Sequence, residues 1–197
     1  MARASRNPAQ SQLFVALPSG LEFREEFVTA AEEAALIEHA ARLDFKPFQF
    51  QGWEGKRETI SFGWRYDFNE ARMHAAPPIP EFLLPLRERA AKFARLPAAS
   101  FEQALVIRYG PGAGIGWHRD RPVFETVFGL SLGSRAPLRF RRRRDRGFDR
   151  FTLDAAPRSA YLLTGEVRHE WEHGIAPVAE LRYSITFRSK KGDRFIY

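Results

Sequence analysis

Two short segments carry imidazoles and carboxylates at spacings that could hold a metal: Trp117-His118-Arg119-Asp120 and His169-Glu170-Trp171-Glu172-His173-Gly174. The second contains a literal HExxH. In zinc peptidases that spacing works because histidines four apart lie on one helical face, with the glutamate aimed at the metal-bound water. Here a helix has room only between Gly165 and Gly174, barely two turns, and Gly174 with Pro177 closes it. No histidine follows His173, and the position six residues beyond it is Ala179. Read as a strand, 169, 171 and 173 share one face and 170 and 172 the other. A zinc metalloprotease is disfavoured, while one histidine of the pair stays a candidate metal ligand.

The first segment is His118-x-Asp120. On an extended chain residues i and i+2 point the same way, so imidazole and carboxylate converge. With a distant second histidine they form the two-histidine, one-carboxylate set that holds Fe(II) in non-haem oxygenases and leaves three coordination positions open. His173 stands 55 residues beyond His118. His169 would share its strand face, so spacing alone does not choose between them. The glycines of Tyr109-Gly-Pro-Gly-Ala-Gly-Ile-Gly do not form a dinucleotide loop, because they run into Trp-His-Arg-Asp-Arg-Pro122 rather than a helix. They fit a tight turn and a close backbone approach.

A third element could serve the same centre. In Arg182-Tyr-Ser-Ile-Thr-Phe-Arg188, period two puts Arg182, Ser184, Thr186 and Arg188 on one face and Tyr183, Ile185 and Phe187 on the other. Arginines turned inward from a half-buried strand need anionic partners. A dicarboxylate co-substrate would satisfy one of them through a bidentate bridge.

The elements that must position these groups are legible in outline. Leu21 to Arg24 reads as a short strand, and Thr29-Ala-Ala-Glu32 as a capping box opening a helix over Glu33 to Leu43. Residues 45–52 alternate as a strand, and Thr59 to Phe68 read as a strand broken by Gly63. Residues 74–80, HAAPPIP, form a connector into a second helix, Phe82 to Arg95, with Pro85 in its first turn. From Phe101 onward about eight short strands follow, the last two being 169–175 and 182–188. The pattern predicts an α+β, mainly β fold, a double-sheeted jelly roll.

The 197 residues suit one domain over 13–197 behind a flexible arm over 1–12. Hydrophobic content of 44%, with 18 Phe and 4 Trp, supports a packed core, and the absence of cysteine excludes disulfides and thiolate sites. With no apolar run near the ~20 residues of a membrane span and no signal-peptide core, the expectation is a soluble, cytoplasmic monomer without a membrane partner. A net charge of +7 favours a polyanionic partner. The densest cationic stretch is LRFRRRRDRGFDRF, 138–151. It is either a solvated hairpin tip or a hairpin whose arginines, Arg141 to Arg144 and Arg150 among them, grip phosphates.

These segments together resemble the AlkB family of Fe(II)- and 2-oxoglutarate-dependent dioxygenases over roughly residues 56 to 190. RYGPGAGIGWHRD resembles the family's N-R-Y-x-x-G…H-x-D segment, WEHGI its second-histidine segment, and RYSITFR its R-x-N-x-T-x-R strand. GKRETISFGWRYDF, 55–68, looks like its nucleotide-recognition region. The resemblance implies a double-stranded β-helix with a substrate lid from the N-terminal half. It also implies iron on His118, Asp120 and His173, selecting His173 over His169 because the ligand immediately precedes Gly-Ile. By the same carry-over Tyr109 and Arg182 contact 2-oxoglutarate, with Arg188 supporting that pocket. Two family asparagines are replaced, by Ile107 and by Ser184, and Pro122 stands where repair-type relatives carry an acidic base-contacting residue.

The activity so implied consumes O2 and 2-oxoglutarate, releases succinate and CO2, and oxidises a substrate C–H. On an N-methylated base of DNA or RNA the product collapses to formaldehyde and the repaired base. Such a base must leave its stack, and Trp64, Tyr66 or Phe68 could receive it. The alternatives are a hydroxylase with the same cofactors acting on modified tRNA, protein or a small molecule, and a basic RNA-binding module without catalysis.

Overall fold

The computed structural model describes residues 17–50, 53–67 and 70–192. The arm over 1–12 and Phe68 lie outside them. Strand β1 (Leu21–Arg24) leads into helix α1 (Ala30–Ala41). Its capping box is formed: the Thr29 hydroxyl accepts from Glu32 N at 3.2 Å, and the Glu32 carboxylate accepts from Thr29 N at 2.8 Å. The helix therefore begins three residues before Glu33, since the box and not the apolar stripe sets its first turn.

Strands β2 (Lys46–Phe50) and β3 (Trp53–Phe62) pair as a hairpin. Gly63 then turns the chain at φ +73, a conformation costly for any residue with a Cβ, into β4 (Trp64–Asp67). Strand β5 (Arg72–Ala75) pairs with β4 and takes up His74 and Ala75, which the proline-rich pattern assigned to the connector. Beyond the prolines come a 3-10 turn (Glu81–Leu83) and α2 (Leu84–Ala94), with Pro85 in the first turn, where its missing N–H costs nothing.

Eight strands follow: β6 (Phe101–Tyr109), β7 (Ile115–His118), β8 (Phe124–Leu132), β9 (Ala136–Arg143), β10 (Phe148–Ala155), β11 (Ala160–Leu163), β12 (Glu172–Ile175) and β13 (Arg182–Lys190). With β1, β2 and β3 they form a seven-stranded sheet, β1-β11-β8-β13-β6-β3-β2, and a four-stranded sheet, β10-β9-β12-β7. This is the expected jelly roll. Alternation along the strands divides the core in two. Phe128, Leu130, Ile185 and Phe187 face outward under Leu36 and Ala40 of α1 and Leu86, Ala90 and Ala91 of α2. Ile107, Tyr109 and Val127 face inward against Leu138, Phe140 and Ile175 of the small sheet. Fully burying one such Leu or Phe contributes on the order of 2 kcal/mol.

The segment 169–175 is not a single strand. A helix, α3 (Gly165–His169), precedes β12, with Glu170 N bonded to Glu166 O at 2.8 Å. Gly165 turns in at φ +50, and Val167 and Trp171, four apart, both bury. Packing of that pair holds the turn that the alternating pattern concealed. The face shared by His169 and His173 is thereby lost, as is the single helical face that a peptidase HExxH requires.

Candidate active site

Strands β7 and β12 are neighbours, and their register sets His118 opposite His173. The ring centroids are 4.4 Å apart. The approach is close because Gly174 has no side chain: a Cβ there would stand 2.9 Å from the Ile115 carbonyl oxygen. Gly114 is constrained in the same way, by the Ile175 carbonyl at 2.7 Å, and Gly112 turns at φ +81. The glycine loop thus provides the turn and the close approach expected of it. His118 Nδ1 donates to Gly116 O at 2.9 Å, which leaves Nε2 as its free ring nitrogen.

Asp120 follows β7 and is buried. Its Oδ2 lies 3.5 Å from His173 Nε2 and has no hydrogen-bond partner. Its Oδ1 receives Arg188 Nε and Nη2, each at 2.8 Å. Burial alone would push the carboxyl up, but Arg188 and then the two histidines hold it well below the usual carboxylate range. Burial pushes His173 down to about 3, and it lowers His118 in the same direction. At neutral pH the cluster is therefore two neutral imidazoles and one carboxylate, the protonation states that ligate metal. The unpartnered Oδ2 and the two-nitrogen, one-oxygen donor set fit a divalent iron.

The strand that carries Arg188 carries a second cation, this one buried. Arg182 is fully buried on β13, where it pairs with Tyr109 of β6. Its Nε donates to Ser131 Oγ at 3.2 Å and its guanidinium stands 5.1 Å from the Tyr109 ring centroid, yet Nη1 and Nη2 have no partner. A buried guanidinium with two free donors side by side calls for a carboxylate. Ser184, buried one inward position along β13, pairs with Ile107 and Ser131. Tyr161 covers the neighbouring backbone so closely that a Cβ on Gly129 would stand 2.2 Å from its ring.

The other sequence candidates are placed as follows. His169 is exposed at the end of α3 and its Nε2 meets Glu125 Oε1 at 3.1 Å, away from the cluster. The Tyr66 ring lies 4.6 Å from the guanidinium of Arg121, the residue after Asp120. Trp64 is held by Glu102 at 3.2 Å, and Lys190 Nζ stands 3.6 Å from its ring centroid. Arg150 does not join the inward residues. Its guanidinium lies 5.4 Å from the Phe148 ring on the outer face of the small sheet. The arginine run is not a set of free cations either. Arg142 pairs with Asp149, Glu166 and Glu170, Arg141 with Glu172, and Arg144 with Asp149. Alternation turns Arg142 toward α3, whose carboxylates were invisible as partners while residues 169–175 read as a strand.

Two residues went unnoticed in the sequence. Arg168 is buried, and its Nη2 donates to the carbonyls of Arg121 and Phe124, each at 2.6 Å. It ties the loop carrying Asp120 to the helix before His173. Arg57 is buried on β3 with its guanidinium 3.6 Å from the Phe48 ring centroid, its Nε unpartnered and no carboxylate paired with it among the described residues. The arginine of a polar strand end, next to Glu58 that pairs with Arg108, was the only signal available. A second group, Asp67, Glu70 and His74, brings ligand atoms within 4.8 Å of one another, but Arg65 and Arg72 already engage its carboxylates.

The chain matches the model of the 2OG-Fe(II) oxygenase superfamily over residues 17–188. An Arabidopsis thaliana protein named "Alkylated DNA repair protein ALKBH8 homolog" is 29% identical over 79% of this chain and 50% of its own length. The Mus musculus "tRNA (carboxymethyluridine(34)-5-O)-methyltransferase ALKBH8" is 29% identical over 82% of this chain and 25% of its own. The chain therefore spans half the length of one relative and a quarter of the other. The solved structure of OsALKBH1 superposes with a TM-score of 0.67 at 18% identity, covering 88% of this chain and 98% of that one, a likeness of fold.

Proposed function

The chain belongs to the 2OG-Fe(II) oxygenase superfamily, and from that premise we propose that it is a dioxygenase oxidising N-alkyl groups on nucleic-acid bases, with His118, Asp120 and His173 as its iron ligands. The observation that carries the reading is the pairing of that cluster with the fully buried, unpartnered donors of Arg182. Iron bound there supplies activation of O2, coupled to decarboxylation of 2-oxoglutarate to succinate and CO2. Arg182 receives the far carboxylate of the co-substrate through its two free nitrogens, with the Tyr109 ring fixing the plane of the guanidinium. Ser184, where the motif that its strand resembles has an asparagine, offers one O–H donor in place of an amide's two N–H donors. Arg188 keeps Asp120 ionised and turned toward His173. Tyr66, whose ring meets the guanidinium of the residue after Asp120, is the stacking surface for a flipped base.

Support for a nucleic-acid substrate comes from the net charge of +7 and from the names of the relatives, one a DNA-repair protein and the other a tRNA enzyme. The tRNA name and Pro122, in place of an acidic base contact, favour hydroxylation of a modified tRNA base as the second reading. Succinate formation across a panel of methylated DNA, RNA and tRNA oligonucleotides, with iron and 2-oxoglutarate each omitted in turn, tests both. Iron- and 2-oxoglutarate-dependent turnover stimulated by a member of the panel supports the proposal. Turnover that no nucleic acid stimulates removes the substrate class while leaving the oxygenase.

A further inference from the structure

The strands that carry His118 and His173 inward carry Trp117 and Glu172 outward, on the opposite face of the sheet. On the outer face of the four-stranded sheet Arg139 and Arg141 lie 5.1 and 4.5 Å from the Trp117 ring centroid. Arg141, Arg143 and Arg150 lie 4.8, 5.6 and 5.4 Å from that of Phe148. The register accounts for the arrangement. Arg141 pairs with Arg150 on one side and with Glu172 on the other, and Arg143 pairs with Phe148. Gly174, opposite Arg139, adds no side chain to this face.

Four guanidiniums and two aromatic rings thus alternate across one sheet face. Glu172 neutralises Arg141 at 2.6 Å. Among the described residues no carboxylate pairs with Arg139, Arg143 or Arg150. Like charges held this close repel one another, and their spacing is maintained by the rings beneath them rather than by counter-charges. Cations aligned over half-buried aromatic faces match a strand that offers phosphates and bases in alternation. We propose that this outer face, rather than the tip of the arginine run, is a docking track for the backbone of a single-stranded nucleic acid. The track lies on the reverse of the sheet that carries His118 and His173, so a bound strand must pass the edge strand β7 to present a base to that cluster. The inference rests on the nucleic-acid reading above and adds where the strand is held.

The test uses the full chain and a fluorescein-labelled oligothymidylate, with binding followed by anisotropy across a salt series. Arg139→Ser, Arg143→Ser and Arg150→Ser are combined in one variant, which spares the ion-paired Arg141, Arg142 and Arg144. Three lost phosphate contacts should lower the log–log salt slope by about 2, at ~0.7 each for a single strand, and weaken binding at low salt at least tenfold. Trp117→Leu should weaken binding about tenfold through lost stacking while leaving the salt slope unchanged. A control carrying Arg24→Ser, Arg42→Ser and Arg95→Ser removes equal charge elsewhere and should retain the slope. Unfolding midpoints of all variants establish that they are folded. If the wild type binds and the outer-face variant keeps its affinity and slope, the track is wrong and the nucleic-acid reading stands. Equal losses in the control reduce the effect to net charge and overturn the track. A wild type that binds no oligonucleotide at low salt sinks both.

Discussion

Arg188 and Asp120 meet through two nitrogens on a single oxygen: Nε and Nη2 each lie 2.8 Å from Oδ1, which leaves Oδ2 turned to His173 Nε2 at 3.5 Å. Arg188 Nη1 is itself held by Gln103 Oε1 at 3.0 Å. The arginine thus fixes which carboxylate oxygen is left for a metal. Replacing it by Met should lower Mn(II) affinity by about 10–100-fold, the usual effect of removing a partner of a ligand, with Lys restoring part of it. Unchanged affinity in a metal titration of Arg188→Met would mean that the buried site orients Asp120 without it.

The ligand assignment divides the two histidines of HEWEHG. His118→Ala, Asp120→Ala and His173→Ala should each abolish iron-dependent succinate formation in a folded protein. His169→Ala should retain it, because that ring faces Glu125. Loss of iron in His169→Ala together with its retention in His173→Ala would reverse the assignment.

Arg182 has two buried guanidinium nitrogens that no described residue satisfies. Hydrogen bonds to charged groups contribute about 1.5–3 kcal/mol, so Arg182→Met should raise the 2-oxoglutarate KM by about 10–150-fold. Titration calorimetry with 2-oxoglutarate and Mn(II) separates this from a loss of metal. A KM near wild type would place the co-substrate elsewhere.

Acid should destabilise the metal-free fold through His173. Its pKa falls from the ordinary 6.5 to about 3 on folding, chiefly by burial. Between those values the unfolded chain holds the extra proton, so stability is fully present above about 6.5 and declines toward 3, by up to about 1.4 kcal/mol per pH unit. His118 is shifted in the same direction. Denaturant unfolding between pH 7 and pH 4 should show that slope, and His173→Asn should flatten it. An equal slope in the variant would trace the acid sensitivity to other groups.

Much of the site was readable because strand periodicity is local. His118 and Asp120 share a face, as do Arg182, Ser184 and Arg188, for reasons contained within three to seven consecutive residues. The capping box at Thr29 and the break at Gly63 were likewise legible. Periodicity could not choose between His169 and His173, although the resemblance to the family did, because their geometric separation depended on α3. That helix is a single turn whose stability comes from Val167 and Trp171 burying against strands distant in sequence.

The arginines mark the division most clearly. The sequence alone determined that the chain is basic and mainly β, that His118 and Asp120 can share one strand face, and that Arg182 and Arg188 share another. Only the tertiary structure decided what each guanidinium does: Arg188 orients a ligand, Arg168 pins the ligand loop, Arg142 docks α3, and Arg139, Arg143 and Arg150 remain over aromatic rings outside the sheet. Side-chain direction follows from local alternation, but the partner a charge meets depends on which strand or helix lies next to it. That adjacency is set by long-range burial of apolar faces, on which the charged residues themselves have little say.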